Sequence, residues 1–296
     1  MLMKIFITGS TGFLGSNFIN YYVKRYDFSR HKKNTNVVIE HDVVLNFAGK
    51  AHDLKKSSND KEYYQVNTEF TNELFDTFLD SGAKVFITLS SVKAVADEVI
   101  GNLTEDAVAT PVTHYGKSKL LAEQYILSKE IPIGKRVYIL RPCMIHGPGN
   151  KGNLNLLYNL VSKGYPWPLG NFENKRSFCS IENLCFIIKE LIERDDIPSG
   201  VYNIADDIPL STNEVIQLIA ESKGKDARIL SLNKSLISAL ARLGELLRFP
   251  LNTERLRKLT ESYIVSNDKI RKVLGKPLPV SSRDGLMRTF ESFSNN

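Results

Sequence analysis

Met3-Lys4-Ile5-Phe6-Ile7-Thr8 is a short apolar run of strand type, and Gly9-Ser10-Thr11-Gly12-Phe13-Leu14-Gly15 follows it without a gap. Behind the glycines, Phe13, Leu14, Phe18, Ile19, Tyr22 and Val23 recur at helical spacing. Strand, glycine-rich turn and helix in that order leave few folds open. Glycines at i, i+3 and i+6 suit the first unit of a nucleotide-binding sheet. One permits a tight turn, one lets backbone approach a diphosphate, and one lets the helix lie close on the strand. The N–H groups at the helix start then face the phosphates. On this reading Gly9, Thr11, Gly12, Phe13, Leu14 and Gly15 hold a dinucleotide.

The rest of the chain continues the alternation. Apolar strand-like runs recur at Val43–Phe47, Val85–Leu89 and Val137–Leu140, with helical patterns at Tyr63–Leu79 and His114–Ser128 between them. Such alternation implies a doubly wound parallel α/β sheet with both faces covered. The passage from Tyr26 to His41 is short and polar, which predicts an abbreviated second strand near Asp27 to His31. After Pro142 the texture changes to glycine- and proline-rich loops around a helix at Leu154–Ser162, where substrate loops are expected. A helix at Ile181–Glu193, a strand at Gly200–Ile204 and four helices from Ser211 onward complete the pattern. The expected division is a dinucleotide-binding domain over 1–142 plus about 177–204. A smaller, mostly helical substrate lobe takes about 143–176 and 205–296.

Length and composition exclude several classes. A chain of 296 residues with 42% hydrophobic content supports a substantial core, and no stretch approaches the ~20 apolar residues of a membrane span. The expected location is the cytoplasm. The three cysteines, Cys143, Cys179 and Cys185, lack C-x-x-C spacing and read as reduced packing residues. Five scattered histidines give no metal-ligand cluster, so no metal is expected; His146, in a glycine-rich loop, faces either substrate or water. Between Lys223 and Lys276 stand thirteen Lys or Arg against five Asp or Glu, more positive than the whole-chain +6. Leucines at helical spacing among them make a solvated helix face the simpler explanation, and no nucleic-acid motif accompanies the charge.

Tyr115 and Lys119 stand four residues apart in the pattern at His114–Ser128, so a helix there sends both side chains from one face. A fixed ammonium near a phenol favours the phenolate, and the pair makes a proton-transfer device. Ser90 and Ser91 end the run at Val85–Leu89, at the carboxyl end of a strand where parallel sheets bind ligands.

Taken together, G-x-x-G-x-x-G, a strand-end serine and Y-x-x-x-K resemble the extended short-chain dehydrogenase/reductases, in particular the NAD(P)-dependent nucleotide-sugar epimerase/dehydratase group. The resemblance continues in Asp42-Val43-Val44-Leu45-Asn46-Phe47-Ala48-Gly49, in Leu140-Arg141-Pro142 to Gly149, in Arg176 to Leu184, and in Gly200-Val201-Tyr202-Asn203-Ile204-Ala205. It implies catalytic roles for three residues. Tyr115 transfers a proton at a sugar oxygen, Lys119 holds the nicotinamide ribose and depresses the tyrosine pKa, and Ser91, rather than Ser90, bonds the reacting oxygen. It also implies cofactor contacts from Ala48, Gly49, Asn67 and Pro142, and substrate contacts from Ser91, Met144 and Arg176, with Arg176 on the diphosphate. A homodimer through the helices at Tyr63–Leu79 and His114–Ser128 is implied as well.

The departures are specific. Met144 stands where the family often has asparagine, Ser177 and Ser180 replace an acid and a histidine, and Val92-Lys93-Ala94-Val95-Ala96 replaces a run ending V-Y-G. Near the second strand the chain has Ser29-Arg30-His31-Lys32-Lys33 and no acid but Asp27. An acid on the ribose hydroxyls marks NAD and an arginine marks NADP. The cofactor expected is NAD or NADP(H), with Arg30 favouring NADP(H) unless it belongs to a solvated loop. The expected reaction is hydride transfer at a ring carbon, C4, of a UDP-hexose-type substrate for surface polysaccharides, as 4-epimerase or 4-keto-reductase. Ser-Ser-Val-Lys in place of Thr-Asp-Glu disfavours a dehydratase. A non-catalytic NAD(P)-binding regulatory or scaffold protein of the same fold is the alternative from a different class.

Overall fold

A computed structural model describes residues 2–32, 35, 37–50, 59–150, 152–246 and 252–294; Lys33, His52, Lys151 and Leu251 lie outside them. The first half runs β1 (Met3–Thr8), α1 (Phe13–Tyr22), β2 (Tyr26–Arg30), β3 (Val43–Asn46), α2 (Asp60–Tyr64), a π-helical turn at Gln65–Glu69 and α3 (Phe70–Asp80). Next come β4 (Val85–Leu89), a short 3-10 turn at Val92–Ala94, β5 (Asn102–Leu103), α4 (His114–Leu127) and β6 (Arg136–Pro142). The second half runs β7 (Met144–His146), α5 (Asn153–Ser162), β8 (Phe178–Ser180), α6 (Ile181–Glu193), β9 (Gly200–Ile204), α7 (Thr212–Glu221) and α8 (Lys234–Leu246). It ends with α9 (Thr253–Thr260), β10 (Ile264–Val265), α10 (Asp268–Leu274) and α11 (Ser282–Ser294).

Six strands form one sheet in the order β2-β1-β3-β4-β6-β9, every pair parallel. Because side chains alternate across a strand, each strand feeds two cores. On one face Ile5, Ile7, Val43, Leu45, Val85, Ile87, Tyr138 and Leu140 pack under α1 and α6. On the other, Phe6, Val44, Phe86, Val137 and Ile139 pack under Leu74, Phe75 and Phe78 of α3 and Ile126 of α4. Coverage on both faces explains why these strands read as continuous apolar runs. Two further apolar clusters, one around Tyr158, Phe178, Leu218 and Phe290 and one around Trp167, Ile216, Ile237 and Leu256, sit under α5, α7, α8, α9 and α11.

β2 is as short as expected and begins one residue earlier. Five helices, not four, follow Ser211 among the described residues. The additional count arises from α10, only seven residues long and stopped by Gly275 in the left-handed region at φ 63°. The two-stranded pairs β5 with β10 and β7 with β8 were not expected, since two or three residues carry no readable period.

The sheet order turns at β1: β2 lies on one side and β3 on the other. That switch point, at the carboxyl ends of the strands, is where a crevice opens in such sheets. Helix α4 reaches it by close approach. Thr113 caps the helix by accepting from the Gly116 N–H at 3.1 Å, and a Cβ on Gly116 would lie 2.3 Å from the Lys93 carbonyl oxygen and 2.9 Å from Pro111 Cβ. Gly116→Ala is therefore expected to push the first turn of α4 off the turn after β4 and to cost about 1–3 kcal/mol. Urea unfolding of the two proteins reads this, and an unchanged midpoint would refute the packing argument.

Candidate active site

The glycine turn is built for backbone proximity. Gly9 has φ 64°, and a Cβ there would meet the Phe47 carbonyl carbon at 2.4 Å; a Cβ on Gly15 would meet the Gly9 carbonyl oxygen at 2.3 Å. The Gly12 N–H donates to the Gly9 carbonyl at 3.0 Å, closing the turn. Gly12 then starts α1 without a side-chain cap, and no acid stands in the first turn. An uncapped helix N-terminus behind a turn that only glycine fits suits a diphosphate, so these residues fit a bound dinucleotide. Thr11 is exposed at the turn, Phe13 lies against Gly147, and Leu14 is buried in the core, which leaves only its backbone facing outward. Arg30 is exposed at the carboxyl end of β2, paired with Ile7 of β1, whereas Asp27 sits three residues back, opposite Lys4.

Behind the turn runs a buried polar ladder that links the strand ends. The Thr8 hydroxyl donates to Asn46 Oδ1 at 2.7 Å, and Asn46 Nδ2 donates to Thr71 at 3.0 Å and Thr88 at 3.2 Å. The Ala48 N–H donates to Thr8 Oγ1 at 3.1 Å, which fixes the start of the segment carrying Gly49. Asn67 falls in the π-helical turn and is buried. Its Oδ1 accepts from the Lys50 N–H at 2.8 Å, and its Nδ2 donates to the Lys50 carbonyl at 3.2 Å and to Ser118 Oγ at 3.0 Å. Asn67 thus clamps the segment after β3 to α4. A Cβ on Gly49 would lie 3.1 Å from Lys119 Nζ, so backbone passes close over the ammonium.

Ser91, Tyr115 and Lys119 converge at the carboxyl end of β4. The Ser91 and Tyr115 hydroxyls share a hydrogen bond, and Ser91 Oγ also accepts from the Lys93 N–H at 3.2 Å. Lys119 Nζ donates to the Leu89 carbonyl at 2.8 Å. Ser90 turns the other way and donates to Glu123 Oε1, a carboxylate that Arg141 holds through Nε at 3.0 and 3.1 Å and Nη2 at 2.5 Å. Glu123 is four residues beyond Lys119, so α4 presents Tyr115, Lys119 and Glu123 on one face.

Burial sets the proton affinities. It pushes the Tyr115 phenol above its ordinary value, with the Ser91 hydrogen bond pulling down and Tyr63 pushing up. It lowers Lys119 from 10.5 to about 8, against the opposing pull of Glu123. Burial dominates the phenol, and Lys119 is not among the groups that shift it.

Pro142, expected at the cofactor, ends β6, and Met144 and Arg176, expected at the substrate, lie beyond it. Pro142 is buried in β6 opposite Ile204, and Met144 is partly buried in β7 opposite Phe178. Arg176 pairs with Glu261, its Nη2 at 3.1 Å from Oε1 and its Nε at 3.3 Å from the carbonyl. Ser177 and Ser180 serve the frame: Ser177 Oγ accepts from the Val265 N–H at 2.9 Å, and Ser180 caps α6. His146 faces neither substrate nor water. It is fully buried, with Nδ1 2.9 Å from Thr289 Oγ1 and Nε2 3.3 Å from Asp206 Oδ2. All three cysteines are buried thiols, and no group of metal ligands occurs among the described residues. Reading by motif overlooked Thr8, Asn46, Ser118, Glu123 and Arg141 as site builders. A polar residue closing an apolar strand, and an acid four residues past the lysine, were the available signals.

The chain matches the NAD dependent epimerase/dehydratase family over residues 23–205. It is 30% identical to a UDP-glucose 4-epimerase of Vibrio cholerae, over 99% of this chain and 96% of that one. Its fold is similar to that of the UDP-glucuronic acid 4-epimerase from Bacillus cereus in complex with NAD. There the TM-score is 0.76 and the identity 20%, over 99% of each chain. It is similar as well to RMD from Pseudomonas aeruginosa complexed with NADPH, with TM-score 0.72 and 17% identity over 99% and 100% of the two chains. Glycine turn, strand-end serine and Tyr-Lys helix face thus occur in the structural setting of a known family, and the chain belongs to the NAD dependent epimerase/dehydratase family.

Proposed function

We propose that the protein is a 4-epimerase of a UDP-linked hexose, acting in the supply of precursors for surface polysaccharides. The observation that carries the reading is the hydrogen bond between Ser91 and Tyr115 at the end of β4, with Lys119 on the same helix face. The similarity to a UDP-glucose 4-epimerase along almost the whole chain favours epimerisation over ketoreduction. When bound, the nicotinamide dinucleotide supplies the hydride acceptor and donor at the sugar carbon. Tyr115 takes the hydroxyl proton as that carbon is oxidised and returns it on reduction, while Ser91 holds the same oxygen. Lys119 is placed for the ribose hydroxyls, under the backbone of Gly49. Gly9 to Gly15 hold the diphosphate, with Ala48, Gly49, Asn67 and Pro142 around the rest of the cofactor. Met144 and Arg176 face the substrate.

Finer assignments accompany this reading. Residues 1–142 with about 177–204 form the dinucleotide unit, and about 143–176 and 205–296 the substrate lobe, a division supported by the separate apolar clusters under α5, α7, α8, α9 and α11, while α10 packs on the sheet core. Arg30 at the end of β2, with Asp27 displaced from that end by about 10 Å, supports NADP(H); retained NAD is what an epimerase needs. Leu121 and Leu127 stand exposed on α4 and support a homodimer through that helix. The location is cytoplasmic, a reading to which the lack of any spanning helix among the described residues is no obstacle.

The direct test denatures the purified protein, identifies the released dinucleotide by mass spectrometry, and assays UDP-glucose, UDP-galactose and their 4-keto derivatives. Interconversion of the two hexoses with retained NAD is expected. An empty site that NADPH saturates, with turnover of 4-keto sugars alone, would replace the epimerase by a reductase. Fluorescence localisation in cells and light scattering on the same preparation read location and dimer. In Tyr115→Phe, turnover is expected to fall at least about a hundredfold with dinucleotide binding nearly intact. Undiminished turnover in that variant would sink the assignment.

Lys119 also gives a pH signature. Below about 8 both folded and unfolded chains carry the charge, and its burial opposes folding in full. Between about 8 and 10.5 the folded chain gives up the proton while the unfolded chain keeps it, so this contribution to stability rises with pH. Lys119→Met lacks the effect. Its stability relative to the parent is expected to be highest below pH ~8 and to decline towards pH ~10.5. Urea midpoints of both proteins across that range measure the gap, and a constant gap would contradict the shift.

A further inference from the structure

We propose that Lys93 is a substrate-recognition residue, which together with Arg176 forms a cationic pair beside Ser91 that binds an anionic oxygen group of the nucleotide sugar. The proposal rests on the site assignment above and goes beyond it by naming what selects the substrate.

Lys93 is built into the wall of the site. Its N–H donates to Ser91 Oγ at 3.2 Å, and its carbonyl is the atom against which Gly116 packs, next to Tyr115. Its side chain runs towards the region beyond β9. Nζ donates to the Asp97 carbonyl at 2.8 Å and stands 4.3 Å from the ring centroid of Tyr263. Tyr263 is itself anchored, its hydroxyl donating to the Ala96 carbonyl at 2.7 Å, and it forms a backbone bridge with Arg176. One aromatic residue therefore has Lys93 over its ring and Arg176 along its backbone.

The nearby carboxylates are committed elsewhere. Asp97 Oδ2 accepts from the Val112 N–H at 2.8 Å and the Thr113 N–H at 3.3 Å, and Glu261 is held by Arg176. Among the described residues no carboxylate lies within 4.0 Å of the Lys93 ammonium. An ammonium has three donors, and one of these is used on Asp97. Arg176 uses Nε and Nη2 on Glu261, which leaves Nη1 uncommitted among the described residues.

Burial holds Lys93 below its ordinary pKa. Asp97 and Glu261 oppose that shift, while Arg176 and Lys258 add to it. A half-buried cation without a carboxylate partner is costly, and a neutral donor would serve the Asp97 carbonyl equally well. An incoming anion removes the cost. Two cations with spare donors suit the paired oxygens of a phosphate or a carboxylate.

Those oxygens come either from the diphosphate or from a carboxylate on the sugar ring. The experiment measures UDP binding by calorimetry, and KM and kcat with UDP-glucose and UDP-glucuronate, for the parent, Lys93→Met and Lys93→Arg. Thermal midpoints confirm that the variants fold. Lys93→Met is expected to weaken binding about tenfold or more while kcat changes less, with Lys93→Arg restoring most of the loss. Weaker UDP binding and a raised KM for both sugars identify the diphosphate. Unchanged UDP binding with a raised KM for UDP-glucuronate alone identifies a ring carboxylate. Lys93→Met binding UDP and both sugar nucleotides within about twofold of the parent overturns the proposal. A parent that binds UDP through Lys93 yet turns over neither sugar would sink the reaction and leave the anion site standing.

Discussion

Glu123 and Arg141 meet where almost no solvent reaches, the carboxylate from α4 and the guanidinium from β6. Either charge alone would be costly there; removing one partner from such a pair typically costs about 3–5 kcal/mol. Three short contacts from Arg141 and the Ser90 hydroxyl complete the carboxylate's shell. The pair also sets the rotation of α4 about its own axis. Since Tyr115, Lys119 and Glu123 recur every four residues, holding Glu123 against β6 turns Lys119 towards the end of β4 and Tyr115 towards Ser91. The tie extends further. Arg141 Nη1 reaches the Glu105 carbonyl at 3.4 Å, and Glu105 accepts from the Asn203 N–H of β9 at 2.8 Å.

The same dryness sets the resting charge of the site. Burial raises the phenol and lowers the ammonium, because it penalises charge of either sign. At neutral pH Tyr115 holds its proton and Lys119, at about 8, still carries its own. In this state the phenol is ready to give a proton to a sugar oxygen. To take one, the phenol must first release its own proton to solvent or to another acceptor, and only the resulting phenolate can receive the proton of the sugar hydroxyl. Glu123 keeps the lysine from neutralising further, so the carboxylate that orients α4 also maintains the charge of the neighbouring residue.

Much of this was legible in the chain. The β1 turn is readable because Gly9 and Gly15 stand where any Cβ would collide with backbone, so the residue type itself records the geometry. Strands buried on both faces announce themselves as apolar runs, and α6 shows its period. What stayed hidden was contact at long separation. No local pattern tells that Ser90 serves Glu123 while Ser91 serves Tyr115, since adjacent residues at a strand end point to opposite sides. Likewise His146, in a glycine-rich loop that reads as exposed, is buried by residues sixty and more positions away, Asp206 and Thr289. The depression of Lys119 was invisible for the same reason: desolvation is a property of the assembled site.

A separation of tasks follows from where these groups sit. The proposed proton transfer is confined to β4 and α4, which the Glu123–Arg141 pair and the Thr8-Asn46-Thr88 ladder hold to the sheet. Arg176 belongs to a different construction, bridged to Leu210 and Tyr263 and paired with Glu261. Lys93 is the point at which the two meet: its backbone lines the Ser91 turn and its ammonium lies on Tyr263. A substrate that engages both cations is therefore fixed relative to the phenol through one short stretch of chain, Ser91 to Lys93. Positioning of this kind is what converts a proton-transfer pair of general chemistry into one that acts on a particular carbon.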